Sequence, residues 1–105
     1  MFLQLESIAL KEIAPGYQAR FIHTANMTLA FWEVKAGSIL PMHHHVHEQT
    51  SQVIEGDFQL TIDGERRVLT PGIIAVIPSN VTHWGIALTD CKLLDIFSPA
   101  REDYK

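Results

Sequence analysis

Three histidines recur at every second position in the first half of the chain. In an extended segment the side chains of His43, His45 and His47 share one face, whereas His44 points the other way. Neutral imidazole binds borderline transition ions well, and a fixed β scaffold can hold two such rings within bonding distance of one ion. We therefore predict that this segment supplies about half of a metal site.

A second group of candidate residues lies near the C-terminal end. Asp95 is the one carboxylate in an otherwise apolar run, where an unpaired charge would cost several kcal/mol, so it needs a partner or a function. Asp95 and Phe97 share a face by alternation, and Arg101 follows after a turn at Ser98-Pro99-Ala100. All three could converge on the mouth of a barrel. The alternative is that Asp95 caps a turn or pairs with a structural arginine, while residues 101–105 form a solvated tail.

The elements that must position these residues are short strands separated by turn signals. The pattern is typical of a barrel or sandwich, and we find no helix with caps. Asp63-Gly64 is the strongest hairpin signal, and Pro15-Gly16 closes an N-terminal segment. We predict an all-β, single-domain protein over residues 1–105, with strands near Met27–Lys35, Gln49–Glu55, Phe58–Ile62, Arg67–Leu69, Ile73–Ile77, Thr82–Leu88 and Lys92–Phe97.

Composition restricts the partners. The chain has 105 residues and a formal net charge of −4, with no basic patch that would neutralise phosphates. Nucleic acid and anionic membrane are therefore poor partners, and small molecules are better ones. A single cysteine, Cys91, cannot form an intramolecular disulfide, which favours a reducing compartment. With no signal-peptide pattern and no window long enough to span a membrane, we expect a cytoplasmic protein.

Two spaced motifs resemble those of the cupin superfamily. Its first motif is matched by Gly37, His43, His45, Gln49 and Gly56, and its second by Gly72, Pro78 and His83. Asn80 stands where a glycine is usual, but Asn tolerates the left-handed conformation that such a turn needs. The resemblance implies a double-stranded β-helix, or jelly-roll barrel, whose metal-binding core covers about residues 27–98.

The resemblance also implies one divalent transition metal ion, held by His43, His45, Gln49 and His83. Nickel, zinc, iron and manganese all suit such ligands, and the sequence does not choose between them. Because Gln49 stands in place of the more usual glutamate, the ligands leave the charge of the ion uncompensated, which favours an anionic ligand. We place His47 at the cavity rim and consider Arg20 a further cavity residue. Alternatively, the histidines form a surface tract, or the barrel has lost its metal.

Two longer stretches resemble the KdgF-like cupins of pectin and alginate breakdown. They are residues 41–49, and residues 95–104 with Asp95, Phe97 and Arg101. In that family the protein converts the 4,5-unsaturated monouronates released by lyases into linear keto forms, and Asp, Phe and Arg at these positions line the site. The resemblance therefore implies catalytic roles for Asp95, Phe97 and Arg101, a small anionic sugar as substrate, and a homodimer.

Two other functions remain open at this point. Three-histidine barrels of this kind can hold iron and activate dioxygen, although Gln49 and the lack of an apolar-substrate insert argue against a dioxygenase. Small cupins also serve as non-catalytic sugar-binding or acid-binding modules. Oxygen uptake would favour the first alternative, and binding of a uronate without chemical change would favour the second.

Overall fold

Ten strands make up most of the chain in the computed structural model, which describes residues 1–105. Two short 3-10 turns, Leu5–Ser7 and Glu102–Tyr104, flank the strands, and neither is long or apolar enough to cross a membrane. The strands are β1 Lys11–Ala14, β2 Tyr17–His23, β3 Thr28–Val34, β4 Ile39–His43, β5 Glu48–Glu55, β6 Phe58–Ile62, β7 Glu65–Leu69, β8 Ile74–Ile77, β9 His83–Ala87 and β10 Cys91–Ser98.

The strands form two antiparallel sheets that face each other. The six-stranded sheet has the order β1-β2-β3-β10-β5-β8, and the four-stranded sheet has the order β4-β9-β6-β7. The chain crosses from one sheet to the other between β3 and β4 and returns between β4 and β5. Strands from the two halves of the chain therefore become neighbours, and the all-β jelly-roll architecture predicted from the sequence is confirmed.

The core lies between the sheets and follows from alternation along the strands. On β3 the inward residues Ala30, Trp32 and Val34 are buried, while the outward residues between them are only half-buried. Leu93 and Phe97 on β10 face the same interior from the neighbouring strand. A period of two thus divides each strand between an inner face, which carries the core and the site, and an outer face.

The N-terminal hairpin and β4 are elements that the strand predictions lacked. Pro15-Gly16 forms the hairpin turn between β1 and β2, and Gly16 has a φ of +80°. Tyr17, Ala19 and Phe21 on β2 belong to the core, so the N-terminal hairpin contributes to the packed interior. β4 was not recognised because its exposed and half-buried residues show no clean alternation.

Arg20 lies on the outer face, so its assignment to the cavity is wrong. Its neighbours Ala19 and Phe21 point into the core, and alternation turns the arginine away from it. Its Nη1 atom lies 2.7 Å from a carboxylate oxygen of Glu33, and its Nε atom donates to the carbonyl oxygen of Ile8 at 2.9 Å. Arg20 thus ties the N-terminal segment to the outside of the six-stranded sheet.

Two turn predictions are confirmed by backbone angles. Asp63 and Gly64 both have positive φ, +48° and +81°, as a two-residue hairpin turn requires. Asn80, which replaces the usual glycine of the second motif, has a φ of +62°. The short polar side chain of asparagine tolerates this conformation, so the departure from the motif leaves the turn intact.

We expect Gly56→Ala to destabilise the fold more than Gly64→Ala does. Both glycines have positive φ, but only at Gly56 would an added Cβ overlap a carbonyl oxygen, that of Asp90, whereas nothing lies within 4 Å of the position at Gly64. Gly64→Ala should cost about 1 kcal/mol of unfolding free energy, and Gly56→Ala roughly 3 kcal/mol. Urea unfolding of both variants measures the difference, and equal losses would contradict the steric argument.

Candidate active site

Three histidine rings meet at one end of the barrel interior. His43, at the end of β4, is the cross-strand partner of His83 on β9, and their ring centroids lie 4.2 Å apart. His45 follows in the loop after β4, with its ring 5.6 Å from that of His43 and 5.0 Å from that of His83. The ligating nitrogens of the three rings all lie within 4.8 Å of one another, so the three histidines could hold a metal ion.

The backbone fixes which nitrogen of each ring faces the interior of the site. Burial lowers the pKa of His83 to about 4 and also lowers that of His45, so these two rings are neutral near pH 7. A carbonyl oxygen only accepts, so a neighbouring Nδ1 carries the ring proton and Nε2 keeps its lone pair. Each Nδ1 donates to a backbone carbonyl oxygen at 2.9 Å: that of Pro41 for His43, that of His47 for His45, and that of Val81 for His83.

The chain leaves the extended conformation after His43, so the shared face expected of alternate histidines in an extended segment does not apply as far as His47. β4 ends at His43, and β5 begins only at Glu48. The bond from the His45 ring to the carbonyl oxygen of His47 curls this loop locally and directs the His45 ring toward the other two. Side chains at alternate positions still reach one site, but a backbone hydrogen bond rather than strand periodicity brings His45 there.

Gln49 places an amide oxygen beside the histidines. It lies on β5 opposite Phe97 of β10, and its Oε1 atom is 3.0 Å from Nε2 of His45. Both atoms are acceptors, so a cation between them satisfies both. Metal–ligand bonds of about 2.0–2.2 Å place adjacent ligand atoms roughly 3–3.5 Å apart. Nε2 of His83 is also buried without a hydrogen-bond partner. These residues therefore fit a metal ion.

Asp95 is buried in the same cavity and has no ion-pair partner. It points inward from the middle of β10, is 8% exposed, and its Oδ1 atom makes no hydrogen bond. Burial raises the pKa of Asp95 to about 6, although the polar groups of Ser51 and Trp32 oppose that shift. Asp95 therefore lies near polar side chains but forms no ion pair that would explain a carboxylate inside an apolar strand.

Arg101 lines the cavity and packs against two aromatic rings. It is 6% exposed, and its guanidinium carbon lies 4.7 Å from the ring centre of Phe97 and 4.0 Å from that of Tyr104. Its carboxylate partner is Asp103 and not Asp95. Asp95, Phe97 and Arg101 are therefore brought together, and the alternative of a wholly solvated C-terminal tail does not hold for Arg101.

His47 lies beside the cluster of His43, His45 and His83 and is not part of it. Its ring is half-buried, 5.5 Å from that of His45 and 6.5 Å from that of Phe97, and burial lowers its pKa. The contribution of His47 to the site is its backbone carbonyl, which orients His45. His44 is exposed.

The residues that hold Arg101 in place carry little signal in the sequence. Asp103 and Tyr104 lie in a 3-10 turn too short to give a periodic signal, and Thr28 is distant in sequence. One feature of the sequence could have indicated them: Asp103 follows Arg101 by two positions, and the aromatic residue Tyr104 comes next. Trp32, assigned to the core, also lines the cavity, with its indole Nε1 atom unpaired.

Larger depressions occur elsewhere on the molecule. One of about 330 Å³ is lined by Glu12, Glu33 and Asp90, and an apolar groove of about 410 Å³ runs between the edges of β7 and β8. Neither brings histidines together or contains a buried carboxylate. The convergence of ligating and titratable side chains, and not size, marks the histidine cavity as the candidate site.

Comparison with known proteins identifies the class. The Cupin domain family matches residues 30–97, which include every histidine of the site, so the chain belongs to the cupin family.

Within that class the chain is similar to KdgF proteins over nearly its whole length. It is 35% identical over 97 residues to the pectin degradation protein KdgF of Dickeya dadantii (strain 3937), covering 90% of this chain and 88% of that one. The structure of KdgF from Halomonas sp. matches with a TM-score of 0.94 at 30% identity, covering 100% and 98% of the two chains. An RmlC-like cupin from Shewanella frigidimarina also matches at 0.94, with 31% identity and coverages of 99% and 95%. The resemblance to KdgF-like cupins is therefore confirmed.

We expect His83→Ala and Gln49→Ala to weaken retention of a divalent transition ion. His83→Ala removes a ligand whose nitrogen has no other partner, and Gln49→Ala removes the oxygen beside His45. Each loss should lower affinity for zinc or nickel by about tenfold or more. The matched control is His44→Ala, because His44 is exposed and adjacent in sequence. Metal content after dialysis against a weak chelator gives the comparison, and unchanged content in His83→Ala would refute the site.

Proposed function

We propose that this cupin opens the ring of 4,5-unsaturated monouronates and converts them to linear keto acids. The observation that carries the proposal is the buried Asp95 carboxylate, unpaired and in one cavity with the metal-binding histidines and Arg101. The similar protein of Dickeya dadantii is a pectin degradation protein. Lyases that cleave pectin release 4,5-unsaturated uronates.

The proposed reaction is an isomerisation that needs one proton to move. The substrate is a cyclic hemiacetal whose ring oxygen is bonded to C5 of the C4=C5 double bond. Removing the proton of the C1 hydroxyl lets the C1 carbonyl form as the bond between C1 and the ring oxygen breaks, and the ring oxygen remains on C5 as an enolate. Protonation at C4 then gives the C5 ketone, so no external oxidant or reductant is required.

Asp95 is assigned as the group that moves this proton. Its carboxylate accepts the proton of the C1 hydroxyl and returns it to C4, which makes one residue both base and acid. A buried carboxylate with a free oxygen suits this role because no competing hydrogen bond occupies that oxygen. The apolar walls of the cavity exclude bulk water that would otherwise exchange the proton.

His43, His45, Gln49 and His83 are assigned as the ligands of one divalent transition ion. When bound, the ion would supply Lewis-acid stabilisation of negative charge on the substrate oxygens. All four side chains are neutral as ligands, so they favour a substrate that brings its own negative charge, such as a uronate.

Phe97 and Arg101 are assigned to hold the sugar. Arg101 can bind a carboxylate through paired N–H donors, and its burial strengthens that interaction. The ring of Phe97 packs against Arg101 on one side and against His45 at 5.7 Å, so it separates the histidine side of the cavity from the arginine. The sugar would thereby be oriented with its reacting atoms toward Asp95.

The metal-loaded protein should remove the ultraviolet absorbance of lyase-generated 4,5-unsaturated galacturonate, and Asp95→Asn should lose most of this activity. The variant preserves the shape of the side chain but cannot carry the proton, so a loss of roughly 100-fold in kcat is expected. Circular dichroism and metal content should match the wild type. Near-normal rates in Asp95→Asn would contradict the proton-transfer role.

The same experiment distinguishes the other functions. Turnover that proceeds without oxygen excludes a dioxygenase as the source of this activity. Binding of the sugar without loss of absorbance, by a protein that retains its metal, would replace the enzyme with a sugar-binding module.

We also propose that the outer face of the six-stranded sheet joins two copies of the chain. Two cross-strand rows on this face contain only one charged residue, Arg20, whose charge is paired with Glu33. Ile74 and Val76 at its β8 edge are 53% and 64% exposed. A continuous uncharged face of this kind fits self-association better than solvent. The rows are Arg20, Phe31, Leu94, Gln52 and Ile74, and Ile22, Leu29, Ile96, Thr50 and Val76.

We expect Ile74→Glu to convert a dimer into a monomer, because it places a charge on this uncharged face. The control is Val68→Glu, which adds the same charge to an exposed strand position on the other sheet. Size-exclusion chromatography with light scattering reports the mass of each. A wild-type monomer, or a dimer that survives Ile74→Glu, would contradict the proposed interface.

A further inference from the structure

Asp103 forms a salt bridge with one edge of the Arg101 guanidinium. Nε of Arg101 donates to Oδ1 of Asp103 at 2.9 Å, and Nη2 donates to Oδ2 at 2.8 Å. The pair is bidentate, so it sets both the position and the plane of the guanidinium. The hydrogen bonds from Arg101 also lower the pKa of Asp103, which keeps that carboxylate charged.

The backbone of Arg101 is anchored separately. Its N–H donates to the hydroxyl oxygen of Thr28 at 2.8 Å, and Thr28 is fully buried at the start of β3. The same hydroxyl lies 2.8 Å from Nδ1 of His23, which continues the network along β2. Losing Asp103 would therefore free the guanidinium without releasing the backbone that carries it.

Two aromatic rings also pack against the guanidinium. The ring centres of Phe97 and Tyr104 lie 4.7 and 4.0 Å from its carbon and 6.0 Å from each other, so the rings contact it from neighbouring directions and limit its movement. A guanidinium has five N–H donors, of which Asp103 accepts two, so three are left at Nη1 and Nη2. Those remaining donors form the edge that can bind a second carboxylate.

We propose that Asp103 is a positioning residue that fixes Arg101 so that its free edge receives the uronate carboxylate. This inference rests on the function proposed above and adds to it a residue that need not touch the substrate. The side chain of Asp103 is 57% exposed, whereas that of Arg101 is 7% exposed. A surface carboxylate therefore binds a buried guanidinium. Replacing Asp103 should therefore misalign the substrate while leaving the ligands and Asp95 in place.

The kinetic test uses Asp103→Asn, Asp103→Glu and the control Glu102→Gln in the metal-loaded protein. Glu102 lies in the same 3-10 turn but pairs with Lys105, away from Arg101. Asp103→Asn should raise KM and lower kcat, with kcat/KM falling about tenfold or more, because misplaced binding groups cost both affinity and alignment. Asp103→Glu should recover part of the loss, and Glu102→Gln should match the wild type.

A purely structural role predicts a different pattern. Partial unfolding removes active molecules, which lowers apparent kcat and leaves KM unchanged. Unchanged KM in Asp103→Asn, with or without a fall in kcat, would therefore overturn the positioning role.

A double substitution tests whether Asp103 acts through Arg101. In an Arg101→Lys background the paired Nε and Nη2 donors that bind Asp103 are absent. Adding Asp103→Asn to this background should therefore change kcat/KM by less than about twofold. If the second substitution costs as much in this background as in the wild type, Asp103 acts independently of Arg101 and the proposal is wrong.

A spectroscopic readout keeps this test separate from the proposed reaction. In the wild type the Arg101 Nε–Hε signal should be protected from solvent exchange in NMR spectra, and the protection should be lost in Asp103→Asn. Saturated galacturonate is the binding probe, and it should bind more weakly to that variant. If the wild type fails to turn over the unsaturated sugar but both NMR results hold, only the reaction is wrong. If protection is the same in the two proteins, the positioning role is wrong.

Discussion

The site depends on polar side chains that a small apolar barrel can bury only if their orientation is fixed. A buried imidazole, carboxylate or guanidinium is costly unless it has a defined partner. The barrel supplies backbone carbonyls to the Nδ1 atoms of His43, His45 and His83, and a carboxylate to Arg101. Among the buried polar atoms left without a protein partner, Nε2 of His83 and Oδ1 of Asp95 belong to residues that line the cavity where ligands would act.

The jelly-roll topology is what allows these groups to share one cavity. β4 and β9 bring His43 opposite His83 in one sheet, while β5 and β10 bring Gln49 opposite Phe97 in the other. The three clustered histidines come mainly from the four-stranded sheet, and Asp95 and Phe97 come from the six-stranded sheet. A ligand between the sheets would contact imidazoles, a buried carboxylate, a guanidinium and an aromatic wall at once, as the proposed ring opening of an anionic sugar requires.

Much of the fold could be predicted from the sequence, because it rests on local signals. Alternation identified β6, an apolar run identified β10, and Asp63-Gly64 identified the hairpin turn. Asn80 has the left-handed conformation expected of it. The failures have a common cause. β4 lacks clean alternation, and Arg20 was assigned to the cavity although its neighbours on β2 show that alternation turns it outward. For β4 and for β2 alike, the bounds of the strand had to be known before its side chains could be assigned to the inner or the outer face.

The residue types and spacing of the histidine group, and the strand that carries Asp95 and Phe97, can be read from the amino-acid sequence alone. These features are visible because periodicity and motif spacing act over a few residues. Three contacts could be established only from the folded chain: Arg101 pairs with Asp103 rather than Asp95, Tyr104 lies against its guanidinium, and Thr28 anchors its backbone. Such contacts join residues far apart in sequence or within an aperiodic turn, and their partners depend on how the two sheets pack.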